Sequence, residues 1–478
     1  MTRSSGVLMH VSTLPGNYSC GAFGQEAKKW IDIISEAGFT YWQVLPFCLP
    51  DDCNSPYKSY SAFSLNPYFI DLDTLFSKGL ITKEELDSSV QTTPYVCEFA
   101  RLWEERIALL GKAADRFEEK EKIRDFLKKH PHTQKFCEFM ALKASNGNKE
   151  WQLWQNTEPD ARVFEAWAFI QYEFCVQWLE IRAYANKKGV KIIGDMPIYV
   201  STDSSDVWAD KKLFDLDEQN YPACVAGVAP DYFAKDGQLW GNPLYNWDEM
   251  KKDGYKWWKE RMAFTSELFD GVRIDHFRGF ESYYSVKATE KTAKNGKWIK
   301  GPGMDLIKAL KAAGKDMLII AEDLGDITKE VRELVDESGF PGMRVLQFAF
   351  LSDASNPHLP HNYDKNSVAY TGTHDNNTLL GFVWELDAPG KKKLLNYFGY
   401  TDVDNWNGCY DTILRNMLMS HSGLAVFPVQ DLLLYGSDTR LNKPGVAEGN
   451  WAIRFTEEQL SSINRRKFRV WNELYGRI

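Results

Sequence analysis

Four acidic residues stand at or just past the ends of short apolar runs. Asp195 closes Val190-Lys191-Ile192-Ile193-Gly194, Asp275 closes Gly271-Val272-Arg273-Ile274, and Glu322 closes Met317-Leu318-Ile319-Ile320-Ala321. Asp375 follows Val368-Ala369-Tyr370-Thr371-Gly372 by three residues. A single Asp in such a place is usually a turn or helix-capping residue. Four carboxylates arriving from four strands form a different pattern. If the strands converge, the carboxylates crowd, and like charges held together raise the pKa of at least one of them. One proton-bearing acid beside ionised partners is what acid-catalysed chemistry at a glycosidic bond requires.

The neighbouring residues sort the roles. Arg273 and Asp275 alternate by two, so both side chains leave the same face of one strand. A guanidinium beside a carboxylate keeps it ionised and oriented, as a nucleophile must be. Glu322 follows an apolar run, and a carboxyl flanked by apolar groups tends to hold its proton near neutral pH. Asp323, next to it, is expected to point elsewhere and cap the following helix. Asp375 sits in Thr373-His374-Asp375-Asn376-Asn377. Hydrogen bonding to sugar hydroxyls is the better reading there than a metal site, because no second His or Cys arrives at ligand spacing. No metal and no cofactor is expected.

The elements that must position these residues follow one recurring order: a helix, a Gly, then an apolar strand. Ala27, Trp30, Ile31 and Ile34 share a helical face, Gly38 stops that helix, and Tyr41-Trp42-Gln43-Val44-Leu45-Pro46 reads as the strand after it. Trp167, Ile170, Phe174, Trp178 and Ile181 repeat the helical spacing. Lys187 and Lys188 suit the negative end of that helix's dipole, and Gly189 ends it. Arg344-Val345-Leu346-Gln347-Phe348 and Leu424-Ala425-Val426-Phe427-Pro428 complete seven strands, with an eighth sought near Tyr68-Phe69-Ile70-Asp71. Such alternation predicts an α/β fold, either a barrel or an open sheet. In a barrel the strand C-termini converge on one face. Two intervals interrupt the order. Residues from about 75 to 160 are charged and helical in pattern, and those from about 200 to 253 are rich in Asp, Gly, Pro and aromatics, as long loops are. Both read as insertions on one scaffold that spans 1–478.

Composition bounds the partners. At 44% hydrophobic and 26% charged, the chain is of ordinary globular composition. A formal charge of −9 argues against nucleic acid as the main partner, which demands a basic face. No apolar run reaches 18 residues, so no membrane span is expected. The N-terminal segment has no long apolar run before Pro15, so no secretory signal is expected either. The 8 Cys lack any C-x-x-C pair and suit reduced thiols in the cytoplasm. The 17 Trp and 22 Tyr fit core packing and fit equally a groove whose rings stack on sugar faces. Nothing in the sequence fixes an oligomeric state.

Taken in order, further segments join these: Leu8 to Gly16, Ser55-Pro56-Tyr57, Ser61-Ala62-Phe63, Asn66-Pro67-Tyr68 and Gly194-Asp195-Met196-Pro197-Ile198-Tyr199-Val200. Gly237-Gln238-Leu239-Trp240-Gly241-Asn242-Pro243, Gln430-Asp431-Leu432, Arg440-Leu441-Asn442-Lys443-Pro444-Gly445 and Gly449-Asn450-Trp451 complete the series. Over nearly the whole chain the sequence resembles the 4-alpha-glucanotransferases called amylomaltases or disproportionating enzymes, of the alpha-amylase clan. The resemblance implies a (β/α)8 barrel with inserted subdomains and no separate C-terminal β domain. It implies Asp275 as nucleophile, Glu322 as general acid/base, and Asp375 as the group that holds the distorted sugar through its hydroxyls. Arg273, His374, Asp195, Tyr57 and Trp240 match substrate-contacting positions, and Asp231, Tyr232, Phe233 and Gln238 match a loop over the acceptor region. The implied substrates are malto-oligosaccharides, amylose or glycogen-derived glucans. The chain departs from the family pattern at Asn377, often Asp, and at His10-Val11-Ser12-Thr13, usually His-Pro-Thr-Ser.

Overall fold

The computed structural model describes residues 2–50, 54–230, 235–400, 408–446 and 448–478. Twelve strands form among them. In chain order they are β1 (Ser4–Leu8), β2 (Tyr41–Gln43), β3 (Lys191–Met196), β4 (Cys224–Val228), β5 (Gln238–Pro243) and β6 (Gly271–Ile274). Then come β7 (Ser282–Lys287), β8 (Lys297–Lys300), β9 (Leu318–Ala321), β10 (Gly342–Val345), β11 (Ser367–Tyr370) and β12 (Leu424–Pro428). Eight of these, β1, β2, β3, β6, β9, β10, β11 and β12, pair side by side in chain order, and β1 closes on β12 with Ser4 opposite Leu424 and Leu8 opposite Pro428. All eight run parallel, so this is the closed (β/α)8 barrel of the α/β class that the resemblance implies.

Successive side chains of each strand go to opposite faces. Ile193, Ile320, Met343, Val345, Val368, Tyr370, Leu424 and Val426 fill the barrel interior. Their alternates Val7, Trp42, Ile192, Val272, Ile319, Ala369 and Phe427 join the core shared with the helices. Strands buried on both faces read as near-continuous apolar runs, which is why most of them are visible in the sequence. Helix Gln25–Glu36 buries Ala27, Trp30, Ile31 and Ile34. Helix Ala161–Lys187 starts on the Asp160 side chain, which accepts the N–H groups of Arg162 and Val163, and buries Trp167, Ile170, Phe174, Trp178 and Ile181. Its Gln171 amide meets Leu65 through both backbone groups, at 2.8 and 2.9 Å, so this buried polar residue is satisfied.

The structure departs from the sequence expectations in four places. The eighth barrel strand is Ser4–Leu8, whereas Tyr68 and Phe69 lie in a 3-10 turn opened by Asn66, whose side chain accepts the Tyr68 N–H, with Pro67 at its first position. Ser4 and Ser5 hide β1 from an apolarity scan, and the buried Ser5 hydroxyl is satisfied by Asn472 at 2.6 Å. Strand β10 ends at Val345, and Leu346–Phe348 turn as a 3-10 helix. Asp323 caps no helix. It accepts the Met343 N–H at 2.6 Å and pairs with Arg344 at 3.2 Å, tying β9 to β10, while Thr328 caps the next helix. Within residues 200 to 253, where composition predicts loops, β4 and β5 form, and with β7 and β8 they make an antiparallel sheet in the order β5-β4-β7-β8.

Two arginines, Arg3 and Arg477, fasten the barrel. Arg477, 1% exposed, donates to the carbonyls of Leu418 at 2.9 Å, Ser4 at 2.8 Å and Ser422 at 2.9 Å. Arg3 donates to Ser420 at 2.6 Å and to Leu418 at 2.7 Å.

Candidate active site

Register sets the centre of the site. Asp195 on β3 stands opposite Arg273 on β6, and Ile274 on β6 stands opposite Ala321 on β9. Asp275 and Glu322 are the next residues on those two neighbouring strands, at their C-terminal ends. The strand alternation that sends Ile320 inward sends Arg273 inward too, and Asp275 and Glu322 leave on the same face.

Arg273 is the hub. Its Nη1 donates to both oxygens of Asp195, at 2.9 and 2.8 Å, and its Nη2 donates to Asp275 Oδ1 at 2.7 Å. The Asp195 side chain is fully shielded from solvent and that of Asp275 is 29% exposed, so one partner anchors the guanidinium and the other faces the cleft. Burial pushes the Asp195 carboxyl up, to about 6, against the pull of Arg273, and Asp275 adds to the rise. The Tyr57 hydroxyl donates to Asp195 Oδ2 at 2.9 Å and lies 3.4 Å from His374 Nδ1. The Tyr57 and His374 rings stack at 5.0 Å and 18°. His374 Nε2 then meets Asp375 Oδ2 at 3.2 Å. A continuous chain of polar contacts therefore runs from Asp275 through Arg273, Asp195, Tyr57 and His374 to Asp375, and brings the loop after β11 across to β3 and β6.

The carboxylates differ in environment. Burial pushes Glu322 up to about 7; Arg273 opposes the rise, Asp275 adds to it, and two backbone donors moderate it. Those donors are His276 N–H at 2.7 Å to Oε2 and Leu324 N–H at 2.9 Å to Oε1. For Asp375, enclosure alone would raise the carboxyl, but His374 and the Asn442 amide outweigh it and hold the group down at about 2. Asp375 stays 45% exposed to the cleft, with Asn442 Nδ2 donating to its Oδ1 at 2.6 Å. One carboxyl that carries its proton near neutrality thus lies beside others that are ionised.

Of the twelve residues marked in the sequence, seven converge here: Asp275, Glu322, Asp375, Asp195, Arg273, Tyr57 and His374. Trp240 joins them from β5, its ring edge-on to His276 at 4.8 Å, and Gln238 accepts the Trp240 Nε1–H at 3.1 Å. Asp231, Tyr232 and Phe233 lie outside the described residues. Asn377 turns away from the carboxylates, its amide donating to Ser437 at 2.9 Å. Four further residues build the site. Asn442 and Arg440 hold Asp375 by side chain and carbonyl, Trp451 tilts at 5.9 Å from both the Tyr57 and His374 rings, and His276 supplies the N–H on Glu322. Asn442, Arg440 and Trp451 lie in segments that carry the family resemblance, which marks their place without their role. Nothing in the sequence marks His276, because its part depends on a left-handed backbone, φ 50° and ψ 45°, that a non-glycine residue adopts at a cost of about 1–2 kcal/mol.

Barrel and site together define a protein of the (β/α)8 enzyme class, with a cluster of carboxylates at the C-terminal face of the strands. A family model described as 4-alpha-glucanotransferase matches residues 9–460. The 4-alpha-glucanotransferase of Streptococcus pneumoniae is 42% identical, covering 100% of this chain and 98% of that one. The 4-alpha-glucanotransferase of Clostridium butyricum is 41% identical, covering 98% of this chain and 100% of that one. The amylomaltase from Streptococcus agalactiae, solved in complex with acarbose, superposes with a TM-score of 0.94 at 38% identity and 100% coverage of both chains. The chain belongs to the 4-alpha-glucanotransferase family.

Proposed function

We propose that this enzyme transfers segments of α-1,4-glucan to the 4-hydroxyl of an acceptor glucan or glucose by double displacement with retention. Asp275 attacks the anomeric carbon while Glu322 protonates the departing chain, and a covalent glucosyl–Asp275 ester forms. Glu322, now ionised, takes the proton of the acceptor 4-hydroxyl as that oxygen displaces Asp275. Two inversions restore the α configuration. Asp375 accepts hydroxyl hydrogens of the distorted sugar, and Asp195, Tyr57 and His374 line the same subsite around Arg273. Trp240 contacts the substrate, and Gln238, with Asp231, Tyr232 and Phe233, serves the acceptor side.

The observation that carries this reading is the pairing of an Arg-held carboxylate with a proton-retaining one on adjacent strands. Neighbouring strands run about 4.8 Å apart, so carboxyls from register neighbours suit the about 5–5.5 Å separation of retaining pairs. Among the described residues no helix is long and apolar enough to cross a membrane. The seven described cysteines are free, which supports placing the enzyme in the cytoplasm.

Pure maltotriose tests the proposal. Glucose plus a ladder of longer oligomers is the expected product, and glucose with maltose under steadily rising reducing ends would identify a hydrolase instead. Asp275→Asn and Glu322→Gln should each lower kcat about 10³-fold or more, measured on the same ladder.

A further inference from the structure

We propose that His276 is a positioning residue for Glu322: its left-handed backbone, wedged by the Trp240 ring, aims the main-chain N–H at the acid/base carboxyl. The inference rests on the reading of Glu322 as acid/base. His276 directly follows Asp275 and turns with φ 50° and ψ 45° into the 3-10 helix Phe277–Phe280. That turn puts its N–H 2.7 Å from Glu322 Oε2, and the Phe277 N–H 3.2 Å from the Glu322 carbonyl. With Phe277 and Phe280 fixed in the core, an extended or right-handed residue at 276 is accommodated by turning the 275–276 peptide, which takes the first donor away.

The ring keeps the turn in place by shape. It stands edge-on to Trp240 at 4.8 Å and 80°, and its Nε2 is buried without a hydrogen-bond partner. Gly279 packs close against it and Ile198, since a Cβ there would lie 2.7 Å from Ile198 Cδ1 and 3.3 Å from His276 Cδ2. Burial pushes the imidazole down to about 4, so the ring is neutral at working pH and its removal takes no charge from the site. Trp240 lies on β5, so this ring links the antiparallel sheet to the acid/base loop.

The charged groups facing Glu322 are Arg273 and Asp275 from β6 and Arg278 from the 3-10 helix, whose guanidinium lies 3.9 Å over the Trp298 ring of β8. Asp323 and Arg344 pair with each other between β9 and β10. The His276 N–H stabilises the ionised form of Glu322. Losing it raises the pKa and moves the alkaline limb of kcat/KM upward, by about one unit.

The test compares backbones at equal loss of the ring. His276→Gly and His276→Asn tolerate the left-handed turn, whereas His276→Val resists it. On maltotriose, His276→Val should lower kcat about tenfold or more and shift the alkaline limb up by about one unit. His276→Gly and His276→Asn should keep the wild-type limb, with a smaller fall in kcat. If His276→Val does not fold, His276→Ala against His276→Gly gives the same contrast. Equal shifts in all variants, or none in any, would overturn the proposal. The underlying reading is tested separately by Glu322→Gln: an alkaline limb unchanged in that variant would remove Glu322 from the role whatever His276 does.

Discussion

Glu322 and Asp275 are both carboxylates within reach of Arg273, yet their surroundings differ. Glu322 is 8% exposed and receives two backbone N–H bonds, while Asp275 opens to the cleft with the guanidinium on one oxygen. Burial dominates for Glu322 and leaves it protonated up to about pH 7. In the proposed mechanism the first step uses that proton. Hence kcat/KM on maltotriose should fall as pH rises through about 7, and the fall should be absent from any residual rate of Glu322→Gln, as an initial-rate profile would record. Asp375, held at about 2, stays ionised across that range and adds no limb of its own.

At the scale of the element, β3 carries both a core residue and a site residue, with Gly194 between them. A Cβ on Gly194 would lie 2.4 Å from the Phe269 ring, which itself packs in the core against Phe47 and Trp178. Gly194→Ala should therefore destabilise the protein by about 1–3 kcal/mol and, by shifting the strand, lower kcat through Asp195 and Arg273. A thermal midpoint measured beside the maltotriose rate checks both effects. The strand itself was legible because β3 is buried on both faces and reads as a continuous apolar run. Strand β1 was not, because Ser4, Ser5 and Gly6 are polar or small and still fully enclosed: the Gly6 position would put a Cβ 2.7 Å from that of Tyr41. The carboxylates could be found from their places after strands. Asn442 and Trp451 reach the site from more than 60 residues beyond Asp375, and His276 acts through a torsion angle. No local spacing rule encodes contacts of either kind.

The whole molecule depends on one seam, between β1 and β12, separated in the chain by more than 400 residues. Arg477 is clamped by main-chain carbonyls on both sides of it, so Arg477→Ala takes this donor from the carbonyls of Ser4 and Ser422, while Leu418 keeps Arg3. A loss of about 3–5 kcal/mol is expected, with no change in the pH profile of whatever fraction remains folded, as denaturant titration and initial rates would establish. The same seam makes folding a matter of timing. During synthesis strand β1 leaves the ribosome with its outer edge open, and more than 400 further residues must be made before its partner exists. Until then that edge is a template for any passing strand. The nascent chain is consequently exposed to mispairing until Leu424–Pro428 has been made, and Arg477, which clamps the closed seam, arrives later still.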